Sequence, residues 1–379
     1  MKLLIVTTSY PDDSDGAAAA GVFVRDFALA LVEQGHQVTV IAPSQTSRTK
    51  IEAGVRVQRF AVPKLPLSLL KPQAPRDWTA IIHTLRQGQQ HVNHACATDQ
   101  PDYIFALWAL PSGAWARQAS RRYGIPYGTW ALGSDIWSLG KIPLIRQGLR
   151  HVLRHATHRY ADGLQLAQDV TDISGLNCDF LPSARRLAVT NPRPIASAPP
   201  YRLAFLGRWH PNKGIDLLLE ALEQLTDNDW QCIEHMRIFG GGPMQAQVHQ
   251  HCARLIALGR PVEVGGFLDQ TAATELLNWT DFVLIPSRIE SIPVIFSDAM
   301  QAGRPVIAMP TGDLPVLLKE HGCGELAEEI SAPAFASALR KALQSNASEY
   351  TNGIQSACAC FDILESARRF ALNIELKSP

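Results

Sequence analysis

The segment that decides the fold is Arg202-Leu-Ala-Phe-Leu206 followed by Gly207-Arg-Trp-His-Pro-Asn-Lys-Gly214. The first five residues are mostly apolar and predict a short buried strand. The glycine-bounded segment predicts a turn, and a helical pattern begins at Gly214. A strand that leads through a turn into a helix is half of a βαβ unit, and such units build parallel sheets covered by helices.

The same alternation extends in both directions along the chain. Downstream, apolar runs predict strands at Met236–Phe239, Val262–Val264, Phe282–Ile285 and Pro305–Ala308, with helical patterns between them. Upstream, strands are predicted at Leu3–Val6, Val38–Ile41, Tyr103–Ala106 and Tyr127–Trp130. We therefore expect an α/β protein with two Rossmann-like, doubly wound parallel-sheet domains that face each other across a cleft. Ligands of such sheets bind outside the carboxyl ends of the strands.

A proline-rich segment separates the two series. Residues 182–200 contain five prolines, which is typical of a linker. We expect one domain at residues 1–190, a second at residues 191–350 and a helical tail at residues 351–379. The pair Asn352-Gly353 predicts that the last helix begins after Gly353.

Composition excludes several classes of protein. The 379 residues include 35 Lys+Arg and 35 Asp+Glu and are 46% hydrophobic, which argues against disorder and against a dedicated nucleic-acid binder. The seven cysteines include no CxxC pair, as expected of reduced cytoplasmic thiols. Neither a transmembrane segment nor a signal peptide is predicted. Residues 1–200 hold 21 Lys+Arg and 14 Asp+Glu (+7), so the first half favours an anionic partner.

Two cations mark the first candidate site. Arg208 and Lys213 lie in the turn after the predicted strand and close to the start of the helix. Two cations beside free backbone N–H groups suit a diphosphate. The alternative is a solvated loop with ordinary surface charges.

Two carboxylates mark the second candidate site. Glu290 follows the strand Phe282–Ile285, and Asp298 comes eight residues later, about two helical turns on. Both carboxylates can then face the cleft and accept hydrogen bonds from vicinal hydroxyls of a sugar or a ribose. The alternative is a Glu favoured by the helix dipole and an Asp that faces solvent.

Together these segments resemble the retaining GT-B glycosyltransferases, in particular family four. The resemblance spans most of residues 1–343 and is strongest in residues 202–308. The matching segments are Gly207-Arg208 to Lys213-Gly214, Gly240-Gly-Gly-Pro243, Gly265-Gly-Phe-Leu268, Glu290-x7-Asp298 and Gly303-Arg-Pro-Val-Ile307. The opening strand, the loop from Gly16 to Gly21 and Gly35-His-Gln-Val38 match more loosely.

The resemblance implies a role for each matching residue. Arg208 and Lys213 would bind the donor diphosphate, Glu290 the hydroxyls of the transferred sugar, and Asp298, in place of the usual Glu, the ribose diol. The implied catalytic residues are Arg208, Lys213 and Glu290. The implied donor-binding residues are Gly21, Gly207, Gly240, Phe267, Leu268, Ser291, Ile292, Val294, Ile295 and Asp298. The acceptor side would include Trp108, Ser134 and Asp135; the alternative for Asp135 is a helix N-cap before Ile136.

The implied activity is transfer of a hexose-type sugar, with retained configuration, from a UDP- or GDP-type nucleotide sugar to a glycan or a lipid-linked acceptor. The domain of residues 1–190 would bind the acceptor, that of residues 191–350 the donor, and the tail would cross back to the first domain. No metal and no further cofactor are expected, because Arg208 and Lys213 would already stabilise the negative charge on the leaving diphosphate. Relatives often carry a His where Leu107 and Leu132 stand here, which puts the strength of catalysis in doubt.

Two other functional classes compete with this hypothesis. A sugar-nucleotide epimerase would bind the same donor without an acceptor, and a non-catalytic sugar-nucleotide-binding subunit would bind it without turnover. The basic helical stretch 141–160 has two interpretations. It is a surface helix packed on the core, or it contacts an anionic membrane. A peripheral, cytoplasmic enzyme of envelope polysaccharide synthesis would work at such a membrane.

Overall fold

A computed structural model describes residues 1–12, 21–187 and 193–375. The chain forms two α/β units: unit 1 comprises Met1–Arg185 and Ile363–Pro379, and unit 2 comprises Arg186–Asp362. The division therefore lies a few residues before the expected boundary at residue 190. Of the predicted Gly16–Gly21 loop, only Gly21 lies within the described residues.

Unit 1 is built on an eight-stranded sheet in the order β3-β4-β2-β1-β5-β6-β7-β8. All neighbours are parallel except β3 and β4. The central strands are apolar and fully buried because helices cover both faces. The strands are β1 (Lys2–Val6), β2 (Gln37–Ser44), β3 (Arg48–Glu52), β4 (Val55–Ala61), β5 (Tyr103–Leu107), β6 (Tyr127–Ala131), β7 (His158–Ala161) and β8 (Asp179–Phe180).

The helices of unit 1 come from both ends of the chain. They are α1 (Val22–Glu33), α2 (Trp78–Asp99), α3 (Ser112–Tyr123), α4 (Ser134–Trp137), α5 (Pro143–His155), α6 (Leu164–Ser174) and, from the carboxyl end, α15 (Ile363–Glu375). Helix α15 packs against α1. Its Phe370 ring lies 4.3 Å from the ring of Phe105 and 5.5 Å from that of Phe27, centroid to centroid, inside an aromatic cluster.

Unit 2 is built on a six-stranded, wholly parallel sheet in the order β11-β10-β9-β12-β13-β14. Its strands are β9 (Tyr201–Arg208), β10 (Ile233–Gly241), β11 (Val262–Gly265), β12 (Phe282–Ile285), β13 (Val306–Ala308) and β14 (Gly324–Leu326). Its helices are α7 (Ile215–Glu223), α8 (Asp227–Gln231), α9 (Gln245–Ala257), α10 (Gln270–Trp279), α11 (Val294–Gln301), α12 (Leu314–His321), α13 (Ala332–Gln344) and α14 (Thr351–Cys360). Two doubly wound parallel-sheet units confirm the predicted fold class.

Three local features differ from expectation. The polar hairpin β3–β4 was not predicted. Helix α5 ends at His155, so the basic stretch 141–160 is not one helix; residues 158–161 form the buried strand β7. Asn352-Gly353 does not interrupt the tail, because Gly353 lies inside α14, where a Cβ would lie 2.3 Å from the carbonyl oxygen of His321; the last helix, α15, does begin after Gly353.

Within the described residues, every helix is too short or too polar to cross a membrane.

Candidate active site

The candidate site lies where unit 2 reverses its strand order. Strand β9 continues to β10 and β11 on one side, and the chain then returns to add β12, β13 and β14 on the other side. The loops after β9 and β12 therefore leave neighbouring strands at the same edge of the sheet. This is the position at which parallel α/β sheets bind ligands. Both predicted clusters occupy these two loops.

The two loops touch backbone to backbone. Gly214 has a φ of 65°, and a Cβ there would lie 1.8 Å from the carbonyl oxygen of Pro286. Only glycine permits both the backbone angle and the close approach. The backbone N–H of Arg288 donates to the carbonyl of Asn212 at 2.8 Å.

An ion pair that the sequence did not predict fixes the loops further. The guanidinium of Arg288 donates to both carboxylate oxygens of Asp216 at 2.7 Å each and to the carbonyl of Pro211 at 2.7 Å. Bidentate pairing of this kind restricts orientation as well as distance. The guanidinium of Arg288 also lowers the pKa of the Asp216 carboxyl against the opposing effect of burial. Arg288 and Asp216 thus hold in place the loops that carry Lys213 and Glu290.

Lys213 and Glu290 are in direct contact. The Nζ of Lys213 pairs with Oε1 of Glu290, and the side chains are 34% and 18% exposed. Both groups are therefore partly shielded from water but open on one side. One cation and one carboxylate at the same edge can contact a phosphate and a hydroxyl of one ligand.

Arg208 provides a second cation at this edge. It ends β9 and its side chain is exposed, with neither an ion pair nor a hydrogen bond to any residue that the structure describes. The next residue, Trp209, is buried and its N–H donates to the carbonyl of Gly241 at 2.8 Å. The backbone of Arg208 is therefore anchored, while its guanidinium is available to an anion.

Glycines at the end of β10 bring its backbone close to β9. Gly240 has a φ of 153°, and a Cβ there would lie 1.9 Å from the carbonyl oxygen of Gly207. A Cβ at Gly241 would lie 2.5 Å from the ring of Phe267, which is 71% exposed. Leu268 beside it is half-buried. An open aromatic ring at the sheet edge can stack on a flat ring such as a nucleobase.

The segment before α11 is mostly buried. Ser291 and Ile292 are buried, whereas Val294 and Ile295, which begin the helix, are half-buried. The Oγ of Ser291 is buried without a hydrogen-bond partner among the described residues. Its carbonyl accepts from the N–H of Asp313 at 3.0 Å.

Asp298 is not on an open face of the helix. It has no exposed surface, and all residues from Phe296 to Met300 are buried. Helix α11 is thus surrounded by protein at its centre, so the eight-residue spacing from Glu290 does not place both carboxylates at the surface. The contact of Asp298 with a ribose stays a prediction.

The acceptor-side residues lie in unit 1 and differ from one another. Asp135 is fully buried: its Oδ2 accepts from the N–H of Ala109 at 2.6 Å and its Oδ1 from the N–H of Leu132 at 3.2 Å. Burial raises the pKa of Asp135 to about 6. Its carboxyl ties together the loops after β5 and β6, and the N-cap of α4 is Gly133 rather than Asp135. A contact of Asp135 with the acceptor stays a prediction.

Three further predicted residues of unit 1 have distinct environments. Ser134 is exposed at the start of α4. Trp108 is half-buried and adopts a φ of 63°, which is rare for a bulky residue. Gly21 has a φ of 73°, and a Cβ there would lie 2.6 Å from the carbonyl oxygen of Ser9. Close packing therefore already requires glycine at position 21.

No group of three or more His, Cys, Asp or Glu side chains that could hold a metal ion occurs within residues 1–12, 21–187 and 193–375.

Comparisons with known proteins match both units. The family model described as glycosyl transferases group 1 matches residues 200–345, and the glycosyl transferase 4-like domain matches residues 18–191. The putative teichuronic acid biosynthesis glycosyltransferase TuaC of Bacillus subtilis is 26% identical over 378 residues, covering 90% of this chain and 89% of TuaC. The D-inositol 3-phosphate glycosyltransferase of Corynebacterium glutamicum is 31% identical over 175 residues, 45% of this chain and 40% of that protein.

The fold matches solved structures over its full length. HepE from Anabaena, solved in complex with UDP and glucose, superimposes with a TM-score of 0.70 at 17% identity and covers 99% of both chains. At that identity the likeness establishes the fold alone. With family models on both units and a full-length relative, the chain is a GT-B glycosyltransferase of group 1.

Proposed function

We propose that this enzyme transfers a hexose-type sugar from a nucleotide-diphosphate sugar to a glycan or a lipid-linked acceptor, with retained anomeric configuration and without a metal. The observation that carries the proposal is the arrangement at the edge of unit 2. Arg208 is a cation there with no partner among the residues that the structure describes, Lys213 and Glu290 form a half-shielded pair, and Phe267 presents an open ring.

The charge of the reaction explains the arrangement. The bond between the anomeric carbon and the diphosphate oxygen breaks, and the diphosphate leaves with the electron pair. The acceptor oxygen forms the new bond to that carbon and gives up its proton, which the leaving diphosphate oxygen accepts. Arg208 and Lys213 stabilise the negative charge that develops on the leaving oxygen, which favours the transition state over the bound donor.

Glu290 then takes the role of holding the sugar. Its carboxylate accepts hydrogen bonds from sugar hydroxyls once Lys213 turns to the diphosphate. Because two cations already neutralise the leaving group, a bound divalent metal is not needed for that purpose. Retention of configuration follows from the family resemblance.

Two of the similar proteins support a particular nucleotide in the donor and a particular class of acceptor. HepE was solved with UDP and glucose, which favours a uridine nucleotide as donor carrier. TuaC is named for teichuronic acid biosynthesis, which favours a polysaccharide or its lipid-linked precursor as acceptor. We place the reaction on the cytoplasmic side of the envelope, where nucleotide sugars are made.

The first experiment is a thermal-stability panel with UDP, GDP, ADP and CMP, each with and without EDTA. One nucleoside diphosphate should raise the melting temperature by several degrees, and EDTA should leave the rise unchanged. The Arg208→Ala variant should show a smaller rise, whereas Arg254→Ala, which changes a surface arginine of α9, should keep the full rise. Equal behaviour of the two variants would contradict the site.

Transfer itself is then measured with the labelled sugar of the donor that binds. Formation of labelled product only when an acceptor glycan is added supports a transferase. An altered nucleotide sugar without acceptor would support an epimerase instead, and binding without any turnover would support a non-catalytic subunit.

A further inference from the structure

Helix α2 exposes large apolar side chains in its first two turns. Trp78, Ile82 and Leu85 are spaced four and three residues apart and so lie on one face of the helix. They are 53%, 48% and 41% exposed. Leu69, in the short 3-10 turn that precedes the helix, is 52% exposed. We call these four residues the α2 apolar face.

The 3-10 turn and the helix form one continuous surface. The indole N–H of Trp78 donates to the carbonyl of Pro72 at 2.8 Å, and the N–H of Lys71 donates to Asp77 at 3.0 Å. Lys64 pairs with Asp77 at 3.3 Å. The segment that carries Leu69 is thus fastened to the start of α2, beside Trp78.

The stretch of chain that carries this face has charges of mainly one sign. Between residues 64 and 98 the chain has the cations Lys64, Lys71, Arg76 and Arg86 and a single acidic residue, Asp77. Asp77 is buried, and hydrogen bonds from Lys71 and Lys64 keep the pKa of its carboxyl low. Lys71, Arg76 and Arg86 are exposed. An apolar centre with a tryptophan and a rim of cations matches the interface of a bilayer that contains anionic lipid.

Helix α5 is a weaker candidate for the same role. Its cations Arg146, Arg150 and Arg154 are exposed, but its apolar residues Leu149, Val152 and Leu153 are buried in the core. Leu144 is its one large apolar side chain that is mostly exposed. The helix therefore offers charge without a sufficient apolar anchor.

We propose that the α2 apolar face docks unit 1 onto the surface of an anionic phospholipid bilayer, with Trp78, Ile82 and Leu85 at the level of the headgroups and Lys71, Arg76 and Arg86 facing lipid phosphates. The proposal concerns the surface only and does not depend on the reaction that the enzyme catalyses. A partner protein would have to match both the apolar centre and the uniform positive rim, and anionic lipid does so without further assumption.

The test is flotation of the full-length protein with vesicles of phosphatidylcholine, with and without phosphatidylglycerol. Binding is expected only with phosphatidylglycerol and should fall at high salt. The Trp78→Ser/Ile82→Ser variant should lower the partition coefficient by about tenfold or more, since two anchoring side chains are lost. The Lys71→Gln/Arg76→Gln/Arg86→Gln variant should lower it by about fivefold for each cation.

Two matched controls separate the proposal from its alternatives. Ile256→Ser/Leu258→Ser removes two exposed apolar residues of unit 2 and should leave binding unchanged. Arg146→Gln/Arg150→Gln/Arg154→Gln removes the charges of α5 and should have the smaller effect of the two triple variants. Circular dichroism confirms that each variant is folded.

Three results would overturn the proposal. The first is no binding to phosphatidylglycerol vesicles, and the second is a loss of binding confined to the α5 variant. The third is a concentration-dependent dimer that Trp78→Ser/Ile82→Ser abolishes, because the face would then join two copies of the chain.

Discussion

Arg288 and Asp216 form a two-bonded ion pair that joins the two loops of the candidate site across 72 positions of sequence. Neither residue belongs to the charges that we assign to the ligand. The pair lies between them, because Arg288 precedes Glu290 by two residues and Asp216 follows Lys213 by three. The geometry of the Arg288–Asp216 pair thus determines the position of Lys213 relative to Glu290.

Breaking this pair should impair turnover more than folding. We expect Arg288→Gln to lower kcat by about tenfold or more, because the Glu290 loop loses its anchor and misplacement of reacting groups is costly. The melting temperature should change by only a few degrees, since a half-exposed pair contributes about 1 kcal/mol or less. Steady-state kinetics and calorimetry measure the two effects. The swapped variant Arg288→Asp/Asp216→Arg should recover part of the activity; no recovery together with an intact fold would argue against a positioning role.

Arg208 should matter more in the transition state than in the ground state. We expect Arg208→Ala to lower kcat by about 100-fold, as loss of one preorganised charge at a leaving group does elsewhere. Affinity for the nucleoside diphosphate should fall less. Calorimetric titration and kinetics on the same variant give the comparison. Equal losses in affinity and in kcat/KM, with kcat unchanged, would assign Arg208 to ordinary binding.

Phe267 should contribute to recognition of the base alone. Phe267→Ala should weaken binding of the nucleoside diphosphate by about tenfold, the usual contribution of stacking between a base and an aromatic ring. Inhibition by inorganic pyrophosphate, which has no base, should remain unchanged. Leu258→Ala, which removes an equally exposed apolar side chain away from the site, serves as the control. If inhibition by pyrophosphate weakened as well, the substitution would act by displacing the backbone around Gly241 and not by removing a stacking partner of the base.

Substitutions at Gly214 and Gly303 distinguish the cost of a positive φ angle from the cost of a steric clash. Both have positive φ angles, 65° and 70°, but a Cβ at Gly303 meets nothing within 4 Å, whereas one at Gly214 meets the Pro286 carbonyl. Gly303→Ala should therefore cost about 1 kcal/mol of unfolding free energy from the backbone alone. Gly214→Ala should cost several times more and lower activity, because the two loops must move apart. Urea denaturation measures both; equal costs would show that the loops relax without strain.

The buried carboxyl of Asp135 should make stability depend on pH in a defined direction. Burial raises its pKa from 3.8 to about 6, so the folded protein holds a proton that the unfolded chain has released. Protonation therefore favours the folded state, and this contribution is lost as pH rises from about 4 to about 6. The difference in unfolding free energy between wild type and Asp135→Asn should fall across that range. A difference that rises or stays constant would contradict the assignment.

Much of the fold could be predicted because buried parallel strands are short apolar runs. β1, β5 and β12 have this character, and apart from Lys2 all their residues are buried. The strand β3 could not be predicted in the same way, since Arg48–Glu52 is mostly exposed and its sequence has no apolar alternation. It pairs antiparallel with β4 at the edge of the sheet, so its other side faces water instead of another strand.

The candidate site, too, could be predicted from the sequence only in part. The glycine and charge patterns pointed to two loops that the structure brings into contact, because the carboxyl ends of neighbouring parallel strands meet at one edge of the sheet. Asp298 and Asp135 could not be judged from spacing, since their burial depends on elements distant in sequence. The bond between Arg288 and Asp216 gave only a weak signal, the presence of an Arg in one motif and an Asp just after the other.

The return of α15 to unit 1 determines the order in which the molecule can be completed. Phe370 fills an aromatic cluster with Phe27, Phe105 and Tyr160, residues that leave the ribosome long before it. Unit 2 has all of its strands once Leu326 has been made, whereas the core of unit 1 still lacks a ring at that stage. The first half of the chain is thus the last to be finished, and the core of unit 1 stays open in a nascent protein until α15 has been made.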